Sequence, residues 1–199
     1  MATEELHAWI LEAFGTGEFN LSNFRATFPS PAPAKILSDL VHKGYLTRVR
    51  RGVYRAIPPG HRTRSIVARG DAAFGLASRS SLPHAYSRET AIAIWTDGGY
   101  WTGFTAGFRP LHLDVNRKDV ARWKTFFARQ GARVAVEGEP ATLFGIVHLL
   151  HPVEKVRSVR RGGIRVVPRR VALAYAEARP YSFEPVIPVL RGDASRASG

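Results

Sequence analysis

The chain has no cysteine at all. That excludes disulfides, thiolate metal sites and cysteine nucleophiles together, and it suits a reducing, cytosolic setting. Nor does any apolar run approach the roughly 18 residues that a membrane helix needs. Met1 is not followed by the charged-then-apolar pattern of a secretory leader. A soluble, cytoplasmic protein with no membrane partner is therefore expected. Acidic residues are scarce as well: 16 Asp+Glu stand against 29 Lys+Arg, for a net charge of +13. A field of that sign draws in polyanions, and nucleic acid is the commonest of them in the cytosol. Most of the cations are arginine, whose planar fork suits phosphate and guanine. Arginine excess also follows from a GC-rich genome or a hot habitat, so charge alone leaves the partner open.

What is present is organised in segments. With 199 residues and 45% hydrophobic side chains, the chain can hold one large domain or two small ones. Pro58-Pro59-Gly60 ends the first periodic stretch and sets the expected division. This places one domain over 1–60, a second over 61–191 and a frayed tail over 192–199. Residues 3–14 put Leu6, Trp9, Ile10, Ala13 and Phe14 on one helical face, with Thr3 as the cap and Gly15 and Gly17 as the stop. Residues 21–28 form a second short helix with Leu21, Phe24 and Phe28 inward, ended by Pro29. Ser30-Pro31 opens a third, whose buried stripe is Ile36, Leu37, Leu40 and Val41 and whose end is Gly44. Leu46 to Arg51 and Val53 to Ile57 then alternate as two strands turning at Gly52, with Val49, Val53 and Tyr54 inward. Three helices followed by a ribbon predict a winged helix-turn-helix.

In such a fold the third helix enters the major groove. Its early exposed residues are Ser30, Ala32, Pro33, Ala34 and Lys35, with Ser38, Asp39 and His42 farther along, so only Lys35 is a strong guanine contact. The ribbon is better armed. Arg48, Arg50, Arg51 and Arg55 surround its tip, with Tyr54 among them and Lys43 just before, and no acid occurs between Asp39 and Asp71. These residues point to phosphate contacts on double-stranded DNA. A solvated basic loop is the bland alternative.

The second half predicts an α+β arrangement overall, with a small mixed α/β domain. His84 to Trp95 looks like a helix opened by Ser87, with Ala91, Ile92 and Trp95 inward, broken at Gly98-Gly99. Leu111 to Val115 alternates as a strand. Lys118 to Gln130 is an amphipathic helix with Val120, Trp123, Phe126 and Phe127 inward, and Arg133 to Val136 is a strand. Leu143 to Leu150 is apolar and of unassigned type. Residues 156–167 read as a hairpin turning at Gly162-Gly163, before a helix from Pro168 to about Ala178. The hairpin carries Arg157, Arg160, Arg161 and Arg165, either a charged surface that keeps a strand pair soluble or an extension of the DNA track.

Two stretches resemble the AbiEi family of abortive-infection antitoxins. One is the helix-to-ribbon join Leu40-Val41-His42-Lys43-Gly44-Tyr45-Leu46-Thr47-Arg48-Val49-Arg50-Arg51-Gly52-Val53-Tyr54, a pattern many winged-helix regulators share. The other is Ser87 to Trp95 followed later by Gly162-Gly163-Ile164-Arg165-Val166-Val167-Pro168. The chain departs from the family at Arg169-Arg170, where an acidic residue is usual after the proline. The resemblance implies a repressor of its own operon whose gene neighbour encodes a nucleotidyltransferase-like toxin, with no direct contact required between the two proteins.

No catalytic constellation stands out, and no metal or cofactor is expected. His148 and His151 have a spacing that metal sites use, but no third ligand is near in sequence. Asp114 with Glu137 and Glu139 suggests a metal-dependent nuclease, yet Ala141 stands where such enzymes want lysine. Ser80, Ser81 and Ser87 lack an elbow or a lysine partner, and Gly98-Gly99 lacks the Lys-Ser or Lys-Thr pair of a phosphate loop. The alternative to a repressor is a regulator that senses a ligand in a pocket ringed by Trp95, Tyr100, Trp101 and Phe104, and a metal-dependent nucleic-acid enzyme ranks below it.

Overall fold

Helix α1 (Thr3–Phe14) forms because Leu6, Trp9 and Ile10 recur three and four residues apart, and all three are fully buried. Thr3 stands inside the helix rather than before it. Strand β1 (Glu18–Asn20) buries Phe19 and exposes its neighbours, an alternation too short to read in sequence. Helix α2 (Leu21–Thr27) starts on a reciprocal cap: Asn20 Oδ1 accepts from the Asn23 backbone N–H at 2.9 Å and Asn23 Oδ1 from that of Asn20 at 3.0 Å. Phe24 and Phe28 point into the core.

Helix α3 (Pro33–His42) starts two residues later than Ser30-Pro31 suggests. The cause is the second proline. Ala32 precedes Pro33, is pushed out of the helical region to φ −136 and ψ 56, and leaves Pro33 as the first helical residue. Ile36, Leu37 and Leu40 are buried as expected, and Val41 is half-buried. Strands β2 (Leu46–Arg50) and β3 (Val53–Ala56) then pair antiparallel, and β1 joins β3 to complete a sheet of order β1-β3-β2. Gly52 makes the turn at φ +75, a conformation other residues resist.

Structure is described for residues 3–58, 73–98, 100 and 107–192. The expected boundary at Gly60 and the tail beyond Gly192 lie outside them. The chain separates into two units, and the N-terminal one takes in residues 104–109 and 138–147 besides 1–73. Phe144, fully buried, therefore sits in one cluster with Trp9, Phe24, Phe28 and Leu37. Leu143 donates its N–H to the Pro29 carbonyl at 2.8 Å. Gly145 has φ +66 and no room for a side chain, since a Cβ there would lie 2.5 Å from Trp9 Nε1.

A second, six-stranded sheet has the order β6-β7-β5-β4-β9-β8. The strands are β4 (His84–Tyr86), β5 (Phe108–Asn116), β6 (Arg133–Val136), β7 (Gly145–Val153), β8 (Val159–Arg161) and β9 (Ile164–Val166). Strand β4 pairs antiparallel with β5 and parallel with β9, and β8 closes antiparallel on β9. The helices are α4 (Arg88–Trp95), α5 (Val120–Arg129), α6 (Arg169–Glu177), α7 (Pro180–Phe183) and α8 (Ile187–Arg191). The molecule is thus mixed α+β with two sheets.

Two element bounds move, and one open segment takes a type. His84 to Tyr86 is a strand buried on both faces, with the helix only after Ser87, because a three-residue buried run has no period to reveal it. Within the apolar stretch Leu143 to Leu150, of unassigned type in the sequence, a nine-residue strand begins at Gly145. The helix expected from Lys118 begins at Val120 after a 3₁₀ turn over Arg117–Asp119.

Side chains alternate across this sheet. One face holds His84 against Trp123 of α5, edge to face at 5.3 Å, and His148 stacked on Phe127 at 4.1 Å. Ala85 and its partner Asp114 share the opposite face with His112. Helices α4 and α6 meet through the Tyr175 hydroxyl, which donates to Glu89.

Candidate nucleic-acid interface

The β2–β3 hairpin has two unlike ends. Leu46 faces Ala56 at the base, both buried, and Tyr54 packs its ring toward Phe19 at 6.1 Å. Tyr54 therefore serves the core on one side and is half-exposed on the other. Towards the tip the register slips between Arg48 and Arg50, a bulge that leaves Val49 40% exposed instead of inward.

The four arginines of this hairpin are not equivalent. Glu18, opposite Arg55 across the sheet, takes its guanidinium at 2.9 Å and lies 3.7 Å from Arg50. Sequence reasoning missed Glu18 because it stands on a different element, 32 residues from Arg50 along the chain. Arg48 and Arg51 are exposed and have no carboxylate partner among the described residues. Lys43 reaches back to α1, its Nζ donating to Thr3 Oγ1 at 3.1 Å.

Along α3, Ala34, Lys35, Ser38, Asp39 and His42 form the exposed face. Ser30 is half-buried and committed to the fold: its Oγ accepts from the Ala32 N–H at 3.2 Å and lies 3.1 Å from Thr142 Oγ1. Lys35 is the one strong cation on this face.

In the C-terminal unit Arg160 stands directly across from Arg165 on β8 and β9. Like charges at that spacing repel, and neither has a carboxylate partner among the described residues. Burial keeps the imidazole of His84 below its ordinary range, and the charge of Arg165 adds to the effect. Arg157 is exposed. Arg161 is different: it pairs with Asp97 at 2.8 Å, donates to the Ile94 carbonyl at 3.0 Å and lies 5.0 Å above the Trp95 ring.

Trp95 donates to the Val167 carbonyl at 3.0 Å, and the Tyr100 hydroxyl donates to that of Ser182. Trp101 and Phe104 lie outside the described residues. A cavity of about 520 Å³ is lined instead by Phe74, Ala93, Ile94, Asp97, Arg161 and Ile164.

His148 and His151, whose spacing metal sites use, lie on a strand, where residues three apart point to opposite faces. His148 stacks on Phe127, whereas His151 meets His112. Asp114 is half-buried and its carboxyl is held above the usual range by burial, with Ser87, His151 and Arg88 opposing. Family models, curated proteins and solved structures give no match to this chain.

Proposed function

We propose that residues 3–57 form a winged helix-turn-helix that binds double-stranded DNA, and that the protein is a transcriptional repressor of the AbiEi antitoxin type. The observation that carries this reading is the β2–β3 hairpin. It follows directly on α3, joins a β1-β3-β2 sheet, and carries Arg48 and Arg51, exposed and with no carboxylate partner among the described residues, towards its tip. In a winged helix that is where the wing meets phosphate or minor groove. Helix α3 is the reading head, and with only Lys35 as a strong base contact its discrimination is modest. The Arg160–Arg165 pair supports a second phosphate-binding surface, because two opposed cations are relieved by a polyanion. The resemblance adds autoregulation of a toxin–antitoxin operon, with a nucleotidyltransferase-like toxin as functional partner.

The test is Arg48→Ala with Arg51→Ala in the full chain, titrated against duplex DNA over a range of salt. Affinity should fall on specific and random duplexes alike, and the salt slope should flatten by about two, roughly 0.9 for each lost phosphate contact. Unchanged affinity and slope would sink the wing assignment.

A second reading, a regulator that senses a small ligand, rests on the cavity beside α4. It predicts that Ile94→Trp abolishes a ligand-induced rise in melting temperature.

A further inference from the structure

The C-terminal unit holds four titratable side chains in file, and none of them belongs to the basic surfaces. Glu89 on α4 comes first, then His112 on β5, His151 on β7 and Glu137 just after β6. The two imidazoles are stacked within 13° of parallel at 5.1 Å, with His112 Nδ1 2.8 Å from His151 Nε2. His151 Nδ1 lies 3.0 Å from Glu137 Oε2. At the other end His112 Nε2 lies 3.1 Å from Glu89 Oε2. Arg88 donates to both oxygens of Glu137, at 2.7 and 2.9 Å, and Tyr175 donates to Glu89 Oε1. Asp114 faces the file from β5, and Arg179 lies 3.9 Å over the Tyr175 ring.

The protons can be counted. Three contacts join the file, and each places two lone-pair atoms against one another unless a hydrogen lies between them. Burial works against charge on both rings: it pushes His112 down to about 4 and His151 in the same direction, with the carboxylates opposing. Two neutral imidazoles bring two hydrogens.

Their positions follow from the Glu137 end. The Arg88 grip keeps Glu137 ionised, down to about 2, so it must accept, and His151 carries its proton on Nδ1. His151 Nε2 is then an acceptor, which puts the His112 proton on Nδ1. His112 Nε2 is left without a hydrogen, 3.1 Å from Glu89 Oε2. That oxygen is buried, with no hydrogen bond of good geometry to it among the described residues.

We propose that the file is a proton-uptake site: at neutral pH both rings are protonated at Nδ1, and acidification adds one proton at the His112 Nε2–Glu89 contact, shared by the two rings. Uptake adds a single positive charge and makes one continuous hydrogen-bonded chain from Tyr175 to Arg88. The added link is the one between Glu89 and His112; Arg88, Glu137 and His151 already join α4 to β7, and Tyr175 joins α6 to α4, in either state.

The experiment uses the full chain labelled with ¹⁵N-histidine, with long-range ¹H–¹⁵N spectra recorded across pH. His112 and His151 should both appear as neutral Nδ1–H tautomers at neutral pH. Both should then move together with one common midpoint below that of free imidazole, about 6.5. A His112 Nε2–H tautomer at neutral pH, or two separate midpoints near the free value, would overturn the proposal. Glu89→Gln supplies an amide donor to His112 Nε2 and removes the carboxylate. In that variant, shown folded by circular dichroism, the common midpoint should fall by at least tenfold in proton affinity. An unmoved midpoint would equally overturn it.

Discussion

The two units treat polar groups in opposite ways. The core of the N-terminal unit is aromatic and aliphatic, and His7, whose Nε2 lies 3.0 Å from the Ile57 carbonyl, is its only buried titratable side chain among the described residues. The C-terminal unit buries His84, His112, Asp119, His148 and His151. An apolar core is held by burial of area and is indifferent to pH, whereas a core with ring nitrogens facing carboxylates is stable only in particular protonation states. The difference also divides the charge. Residues 1–60 hold seven basic and five acidic residues, so most of the +13 lies farther along the chain. A DNA-binding surface confined to the first unit would use little of it.

The largest effect expected is on the apolar side of this comparison. Phe144→Ala removes a fully buried ring from the N-terminal core and should cost about 3–5 kcal/mol. Urea unfolding followed by tryptophan fluorescence, with Trp9 in that core, measures it. For the same reason a fragment ending near Gly60 should be less stable than the intact unit, since it lacks Phe144. Wild-type stability in both would mean that the first 60 residues are a self-sufficient core.

The next effect belongs to the polar side. The His112 pKa is lowered by burial from 6.5 to about 4, so the unfolded chain takes its proton first as pH falls. The stability tied to the neutral ring is complete above about 6.5 and is lost as pH drops towards about 4, on the order of 2 kcal/mol by pH 5. His7, His84 and His151 shift in the same direction, also through burial. Denaturant midpoints at neutral pH and near pH 5 should differ in the wild type, and by less in a His112→Gln variant that retains the fold, the remainder coming from the other three histidines.

The smallest effect sharpens the contrast at the hairpin. Glu18→Gln releases Arg50 and Arg55 from an exposed ion pair, at a stability cost within about 1 kcal/mol. DNA affinity should rise and the salt slope should steepen by about one unit as an arginine becomes free for phosphate. A weaker complex would mean that Glu18 holds those arginines in their binding geometry.

The sequence by itself determined the elements whose pattern is local. The spacing of Leu6, Trp9 and Ile10, the stripe of Ile36, Leu37 and Leu40, the turn at Gly52 and the hairpin at Gly162-Gly163 all sit where periodicity and turn chemistry put them. Short strands escaped, because three residues such as Glu18–Asn20 or His84–Tyr86 hold less than two periods. Tertiary structure alone decided which charges are free. Glu18 quiets Arg55 and Arg50, and Asp97 takes Arg161, across separations of 37, 32 and 64 residues that no local pattern encodes. It also brought Phe144 into the first core and set His112 against His151, 39 residues apart, where strand pairing rather than sequence spacing makes neighbours. A periodic face reports which side of one element meets the core. Which residue of another element it meets is set by how the sheets assemble.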